Sequence, residues 1–310
     1  MVSVTEGTRV LRPTKYQSGK RLSGSEIYPS DDRCPICGYT EPRAKRLLIQ
    51  HGPDIYLLFC PRCLGYSASH MPTREALDRY YGSYYQHCEQ ERVTFYKPIR
   101  LARRIASMVA LPSSRDISIL DFGGGDGSIS ALTAELISRQ TGQAARVQVI
   151  DYVKGNPARN EAVEMEFLRD LKDARGDCDL LIASGIFEHI PNLASIMPEV
   201  IGKLRPGGFL YVRTPYMLPF MKTIGMDMTY PGHVHDLGDR FWGTFPEWFS
   251  IPLEIVKSRP AIVQSGFRQE LISTLAAYCL KLPSQVECLW TRHPMFKFYG
   301  GWEAVMRRSA

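Results

Sequence analysis

The sequence predicts an α/β fold: an open, mostly parallel sheet covered by helices on both faces, preceded by a small metal-folded module. Three observations predict it. Between residues 117 and 215 short apolar runs alternate with segments of helical period, the pattern of βαβ units in a parallel sheet. The first apolar run ends in a glycine-rich turn, and two Cys-x-x-Cys pairs stand upstream at 34/37 and 60/63.

A chain of 310 residues has room for one such domain and a smaller unit. With 44% hydrophobic and 23% charged residues it lies far from disordered or fibrous compositions. No run approaches the ~18 apolar residues of a membrane span, and the first twenty residues lack the apolar stretch of a signal peptide. The expectation is a cytoplasmic protein without membrane insertion.

Residues 1–30 show no sustained period and read as a flexible arm; its basic residues Arg9, Arg12, Lys15, Lys20 and Arg21 are those of a solvated tail. Residues 31–71 carry the cysteine pairs around a strand expected at Ile55 to Phe59. Residues 72–115 read as one or two linking helices, with Thr73 as the N-cap of the first. From 116 to 310 the expected order is a strand at 117–122, a helix from Ser128 to Arg139, strands at 147–151, 163–168 and 178–185, a helix from Leu193 to Leu204, and a strand at 207–215. The stretch 216–252 is far longer than an ordinary βα connection and is expected to be an insertion that forms a wall of the ligand pocket. The segment 267–282 is amphipathic; its apolar stripe is most simply core, with a homodimer interface or a lid as alternatives.

Cys34, Cys37, Cys60 and Cys63 place two thiolate-bearing turns 22 residues apart, enough for a closed tetrahedral zinc site. A closed site has no position at which to activate water, so the expected role is structural. His51 and His70 flank the site and are expected at the surface. The other four cysteines (88, 178, 279 and 288) are scattered and carry no assigned chemistry.

The stretch ILDFGGGDGSIS runs from a strand into Gly123, Gly125 and Gly127 at alternate positions before a helix. Glycines allow a sharp turn and a close approach of cofactor to backbone at the carboxyl end of the first strand. A nicotinamide dinucleotide loop is written similarly, but here Asp121 and Asp126 flank a loop that would have to cradle a pyrophosphate dianion. A cationic, phosphate-free cofactor suits these carboxylates better. Asp151 ends the next strand, where a side chain can accept from ribose hydroxyls. Asp170 lies where a side chain could reach an adenine edge or simply face solvent.

The stretch CDLLIASGIFEHIPNLASIMPEVIGKLRPGGFLYVRTP, taken with ILDFGGGDG and VQVID, resembles the class I S-adenosylmethionine-dependent methyltransferases. The resemblance covers about a hundred residues in the right order and includes Glu188-His189 and Arg205-Pro206-Gly207-Gly208. It implies a Rossmann-like class I methyltransferase sheet, S-adenosylmethionine as cofactor, and last strands at 253–259 and 298–308, the final one antiparallel. The four-cysteine zinc ribbon followed by the Tyr-rich LDRYYGSYYQH is similar to a subgroup acting on sugars and other small metabolites.

The activity so implied is transfer of a methyl group to a small-molecule acceptor, a hydroxyl of a sugar or secondary metabolite. Positioning and desolvation supply much of such a displacement, and a general base assists it. His189, His233 and His235 all follow carboxyl ends of strands, and YPGHVHDL resembles a Tyr and His-x-His stretch of zinc-containing sugar C-methyltransferases. The resemblance is partial, since Val234 stands where that group has an acid. It makes Tyr230 and His235 candidates, with His235 as the leading base. The alternatives are an RNA methyltransferase docking through the ribbon, a sugar C-methyltransferase, and a silent binding protein. Against nucleic acid stand 38 basic residues opposed by 32 acidic ones, in place of a basic face.

Overall fold

The structure is a computed structural model that describes residues 21–87, 98–152, 163–215, 230–261 and 301–309. The expected arm up to residue 20, the first part of the insertion (216–229), the amphipathic segment at 267–282, and Cys88, Cys279 and Cys288 lie outside the described residues.

The ribbon contributes strands β1 (Ala44–Gln50), β2 (Ile55–Phe59) and β3 (Tyr66–Ala68). Helices α1 (Arg74–His87) and α2 (Pro98–Ala106) follow. Thr73 caps the first by accepting from the Ala76 amide at 3.2 Å, which satisfies one of the helix's orphan donors. The main domain then runs β4 (Ile117–Phe122), α3 (Ser128–Thr141), β5 (Ala145–Ile150), β6 (Val163–Leu168), β7 (Cys178–Ser184), α4 (Leu193–Gly202) and β8 (Leu204–Pro215). The short β9 (His235–Asp236), α5 (Asp239–Trp248), β10 (Leu253–Pro260) and β11 (Gly301–Arg308) complete the order.

Seven strands form the main sheet in the order β10-β11-β8-β7-β4-β5-β6. β4 through β8 pair in parallel, while β11 runs antiparallel to both β8 and β10. Because β7, on the far side of β4 from β5, reverses the strand order, a crevice opens between the carboxyl ends of β4 and β7. In doubly wound sheets that is where ligands bind. Strand β7 is buried along almost its whole length, as burial on both faces requires.

At the other edge Glu303, 1% exposed on β11, accepts from Arg104 Nε of α2 at 2.6 Å, Arg259 Nε of β10 at 2.9 Å and the Tyr211 hydroxyl of β8 at 3.1 Å. One buried carboxylate thus ties the linking helix to three strands.

The ribbon is built into this core. Its sheet has the order β1-β2-β3-β9, so the fourth strand comes from the segment after β8. The Ala68 amide donates to the Val234 carbonyl at 2.8 Å, and the Ala194 amide at the start of α4 donates to the Pro35 carbonyl at 2.8 Å. Cys34, Ile36, Cys60 and Cys63 belong to the same apolar cluster as Phe187, Leu210, Trp242 and Trp302. Helix α5 packs Phe241, Trp242 and Phe245, all fully buried, into that cluster.

Candidate active site

The loop between β4 and α3 is shaped by backbone angles that only glycine adopts without strain, with φ of +73° at Gly123, +58° at Gly125 and +73° at Gly127. Two positions are closed to any side chain. A Cβ on Gly123 would lie 2.6 Å from the Ile186 side chain beyond β7, and one on Gly124 would lie 2.4 Å from the Asp121 carboxylate. Gly124 thus joins the alternate glycines as a requirement of the turn; the signal was its place directly over the last inward residue of the strand.

Asp121 is 3% exposed, and among the described residues its Oδ2 has no hydrogen-bond partner. Burial, reinforced by the neighbouring Asp151 and Asp126 carboxylates, pushes its carboxyl up to about 7. The Gly125 amide donates to Asp151 Oδ2 at 2.8 Å, clipping the tip of the loop to the end of β5. Asp126 Oδ1 accepts from the Ser128 amide at 3.0 Å and so satisfies the first amide of α3. Asp170 is exposed on the rim after β6, 4.0 Å from Lys172 Nζ.

On the opposite wall of the crevice, β7 runs into a 3-10 turn over Phe187–His189. Glu188 is 2% exposed, its Oε2 has no partner among the described residues, and burial raises its carboxyl to about 8. His189 Nδ1 lies 2.7 Å from the Gly232 carbonyl and 3.0 Å from the Tyr81 hydroxyl, which itself donates to Gly232 at 3.2 Å. A carbonyl only accepts, so Nδ1 carries the proton and Nε2 presents its lone pair. That atom lies 3.7 Å from Glu188 Oε1. The ring of His233 stands edge-on to that of His189 with centroids 4.6 Å apart. Burial lowers the basicity of both imidazoles, that of His233 well below its usual range.

His235 and Tyr230 occupy a different place. His235 is 1% exposed on β9, paired with Ser67 of the ribbon, and its Nε2 donates to the Ile190 carbonyl at 2.8 Å. Burial holds it down to about 4. The Tyr230 hydroxyl donates to the His70 carbonyl at 3.2 Å, and burial raises its pKa. The Tyr230 hydroxyl pins the ribbon to the segment after β8, while the His235 ring ties β9 to the turn that follows β7. Of the four histidine and tyrosine candidates the fold thus brings the His189 and His233 rings together and adds Glu188 and Tyr81, while the His235 ring is tied to the Ile190 carbonyl and the Tyr230 hydroxyl to the His70 carbonyl. Tyr81 was missed as a site residue although the Tyr-rich segment was conspicuous, because nothing local says which of four tyrosines faces the sheet.

The four cysteine sulfurs lie within 4.8 Å of one another, with Cys34 to Cys63 at 3.9 Å and Cys37 to Cys60 at 3.7 Å. A tetrahedral shell with sulfur about 2.3 Å from zinc has edges of about 3.8 Å, so the cluster is compatible with a zinc ribbon. His51 sits outside it, paired with Asp54 at 3.0 Å in solvent, and His70 lies beside Ser69 at 2.9 Å.

Sheet order, glycine turn and crevice together define a Rossmann-like α/β enzyme domain. A family model described as a methyltransferase domain matches residues 92–249, just over half of the chain, and the chain belongs to that family. Among similar curated proteins, the ubiquinone biosynthesis O-methyltransferase of Shewanella pealeana is 26% identical over 101 residues, covering 31% of this chain and 42% of that protein. The trans-aconitate 2-methyltransferase of an Azoarcus species is 27% identical over 121 residues, covering 37% and 45%. The chain thus spans less than half the length of either. Among solved structures, a plantazolicin methyltransferase in complex with SAH aligns over 76% of this chain and 92% of its own, with 15% identity and a TM-score of 0.42. A [4+2]-cyclase aligns over 72% and 85%, with 16% identity and a TM-score of 0.45. Among the described residues no helix is long and apolar enough to cross a membrane.

Proposed function

We propose that this chain binds S-adenosylmethionine over the Gly123–Gly127 turn and transfers its methyl group to a hydroxyl of a small acceptor, a sugar or secondary metabolite. The observation that carries the reading is the turn itself: two glycines that admit no side chain, over a buried and under-satisfied Asp121, beside Asp151 at the next strand end. Such a turn lets a nucleoside approach the backbone, and its carboxylates favour a cationic sulfonium over a pyrophosphate. In this reading Asp151 accepts from the ribose hydroxyls, and Asp170, exposed after β6, meets the adenine edge. The bound cofactor supplies a methyl group on a good leaving group, and the chain's part is alignment and exclusion of water.

In this reading His189, in the turn after β7, and His233, whose ring meets it, are the residues that face the acceptor, since the His235 ring is engaged by the Ile190 carbonyl and the Tyr230 hydroxyl by the His70 carbonyl. Both relatives named above carry small molecules in their names, which supports a small acceptor. Zinc in the four-cysteine site has a structural role in this reading, holding together the turns that seat β3 against β9.

The test is calorimetry with S-adenosylhomocysteine and with a nicotinamide dinucleotide, on wild type and on Gly124→Ala. The added methyl needs a shift of the loop or of Asp121, and a loss of affinity of at least about tenfold is expected, the equivalent of ~1.4 kcal/mol. Tighter binding of the dinucleotide, or an unchanged affinity in the variant, refutes the cofactor assignment. Incubation with a library of sugars and hydroxylated metabolites, read by mass spectrometry, then identifies the acceptor.

A further inference from the structure

Glu188, His189 and His233 offer one carboxylate oxygen and two imidazole nitrogens within 4.8 Å of one another. We infer that these three side chains bind a divalent cation of the zinc, cobalt or iron(II) kind, separate from the four-cysteine site and facing the crevice.

Four features carry the inference. The tautomer is already set, because His189 donates Nδ1–H to the Gly232 carbonyl at 2.7 Å and leaves Nε2 as a bare lone pair. That is the outer-shell arrangement by which metal-binding imidazoles are oriented. Glu188 is 2% exposed, and among the described residues its Oε2 lacks the donor that buried carboxylate oxygens normally find. Among the described residues His233 makes no hydrogen bond that would engage its nitrogens elsewhere, and its ring meets that of His189 edge to face. Finally, the spacing fits: His189 Nε2 and Glu188 Oε1 are 3.7 Å apart, against about 3.4 Å between neighbouring ligands in a tetrahedral shell of ~2.1 Å radius. Burial keeps both imidazoles neutral, the form a metal requires, and a cation would compensate the cost of ionising Glu188 there.

Two nitrogens and one oxygen select a borderline transition ion over calcium or magnesium, which prefer all-oxygen shells. A site with three protein ligands keeps at least one position open, unlike the closed four-cysteine site. Resting on the acceptor position proposed above, that open position would bind the acceptor oxygen and orient it.

The experiment uses the full chain already loaded with zinc at its cysteines and titrates it with cobalt(II). One further equivalent is expected, with the weak visible bands of nitrogen and oxygen ligands and without thiolate charge-transfer absorption. Glu188→Gln and His233→Gln, whose folding is checked by circular dichroism and thermal unfolding, should each weaken cobalt binding at least tenfold. Absence of a second equivalent in wild type overturns the inference, as does cobalt entering only with displacement of zinc and thiolate absorption. Unchanged cobalt binding in both variants overturns it as well. Because the readout is metal binding, it stands apart from the methyltransferase reading, whose failure would appear as absent S-adenosylhomocysteine binding with cobalt binding intact.

Discussion

Replacing Asp121 by Asn removes a charge without changing shape at a position that is 3% exposed and beneath the glycine turn. Burial raises this carboxyl from 3.8 to about 7. For an acid raised in the folded state, the native form keeps a proton that the unfolded chain has released. Stability attributable to the group is therefore full below about pH 4, falls as pH rises toward 7, and is level above it. The displacement amounts to about 4 kcal/mol when fully developed. Asn carries no such penalty, so the stability of Asp121→Asn relative to wild type should grow by about 2 kcal/mol between pH 5.5 and 8, the window in which a zinc-loaded ribbon can be held constant. Urea denaturation of the cofactor-free protein at several pH values, at one zinc concentration, measures the difference directly. Glu188 is raised as well but is present in both proteins and cancels. A pH-independent difference would refute the reasoning, since it would mean that Asp121 titrates as an ordinary carboxylate and that the turn does not bury it.

Chelation of zinc, or Cys60→Ser, is expected to unfold the whole described body in one transition and abolish S-adenosylhomocysteine binding, since Cys60 and Cys63 share a cluster with Leu210 and Trp302. Structural zinc contributes about 10–16 kcal/mol, comparable to the ~5–15 kcal/mol stability of a domain; two separate calorimetric transitions would show instead an autonomous ribbon. Glu303→Gln leaves Arg104 and Arg259 without their shared carboxylate and should cost about 2–3 kcal/mol, discounted because both arginines are partly solvated. A midpoint of urea denaturation equal to that of wild type would show that solvent replaces the interaction.

The sequence by itself determined the order of strands and helices, because the periods of burial are local. An apolar run such as CDLLIAS reads as a strand covered on both faces, and the ranges found for β2, β4, β6 and the start of α4 match those expected. It also determined the glycine turn and the four-cysteine cluster, since both follow from short spacings. What only the tertiary structure decided are associations between residues far apart in sequence. His235, the leading base candidate of the sequence, is drawn into the ribbon sheet because its strand pairs with Tyr66 and Ser67. Tyr81 and Gly232, 151 residues apart, meet at the imidazole of His189 and fix its tautomer. Glu188 becomes a buried acid because the 3-10 turn after β7 points it inward, where the neighbouring His189 stays partly accessible. A side chain's chemistry is set by burial and by its partners, and these depend on long-range packing that no local pattern encodes.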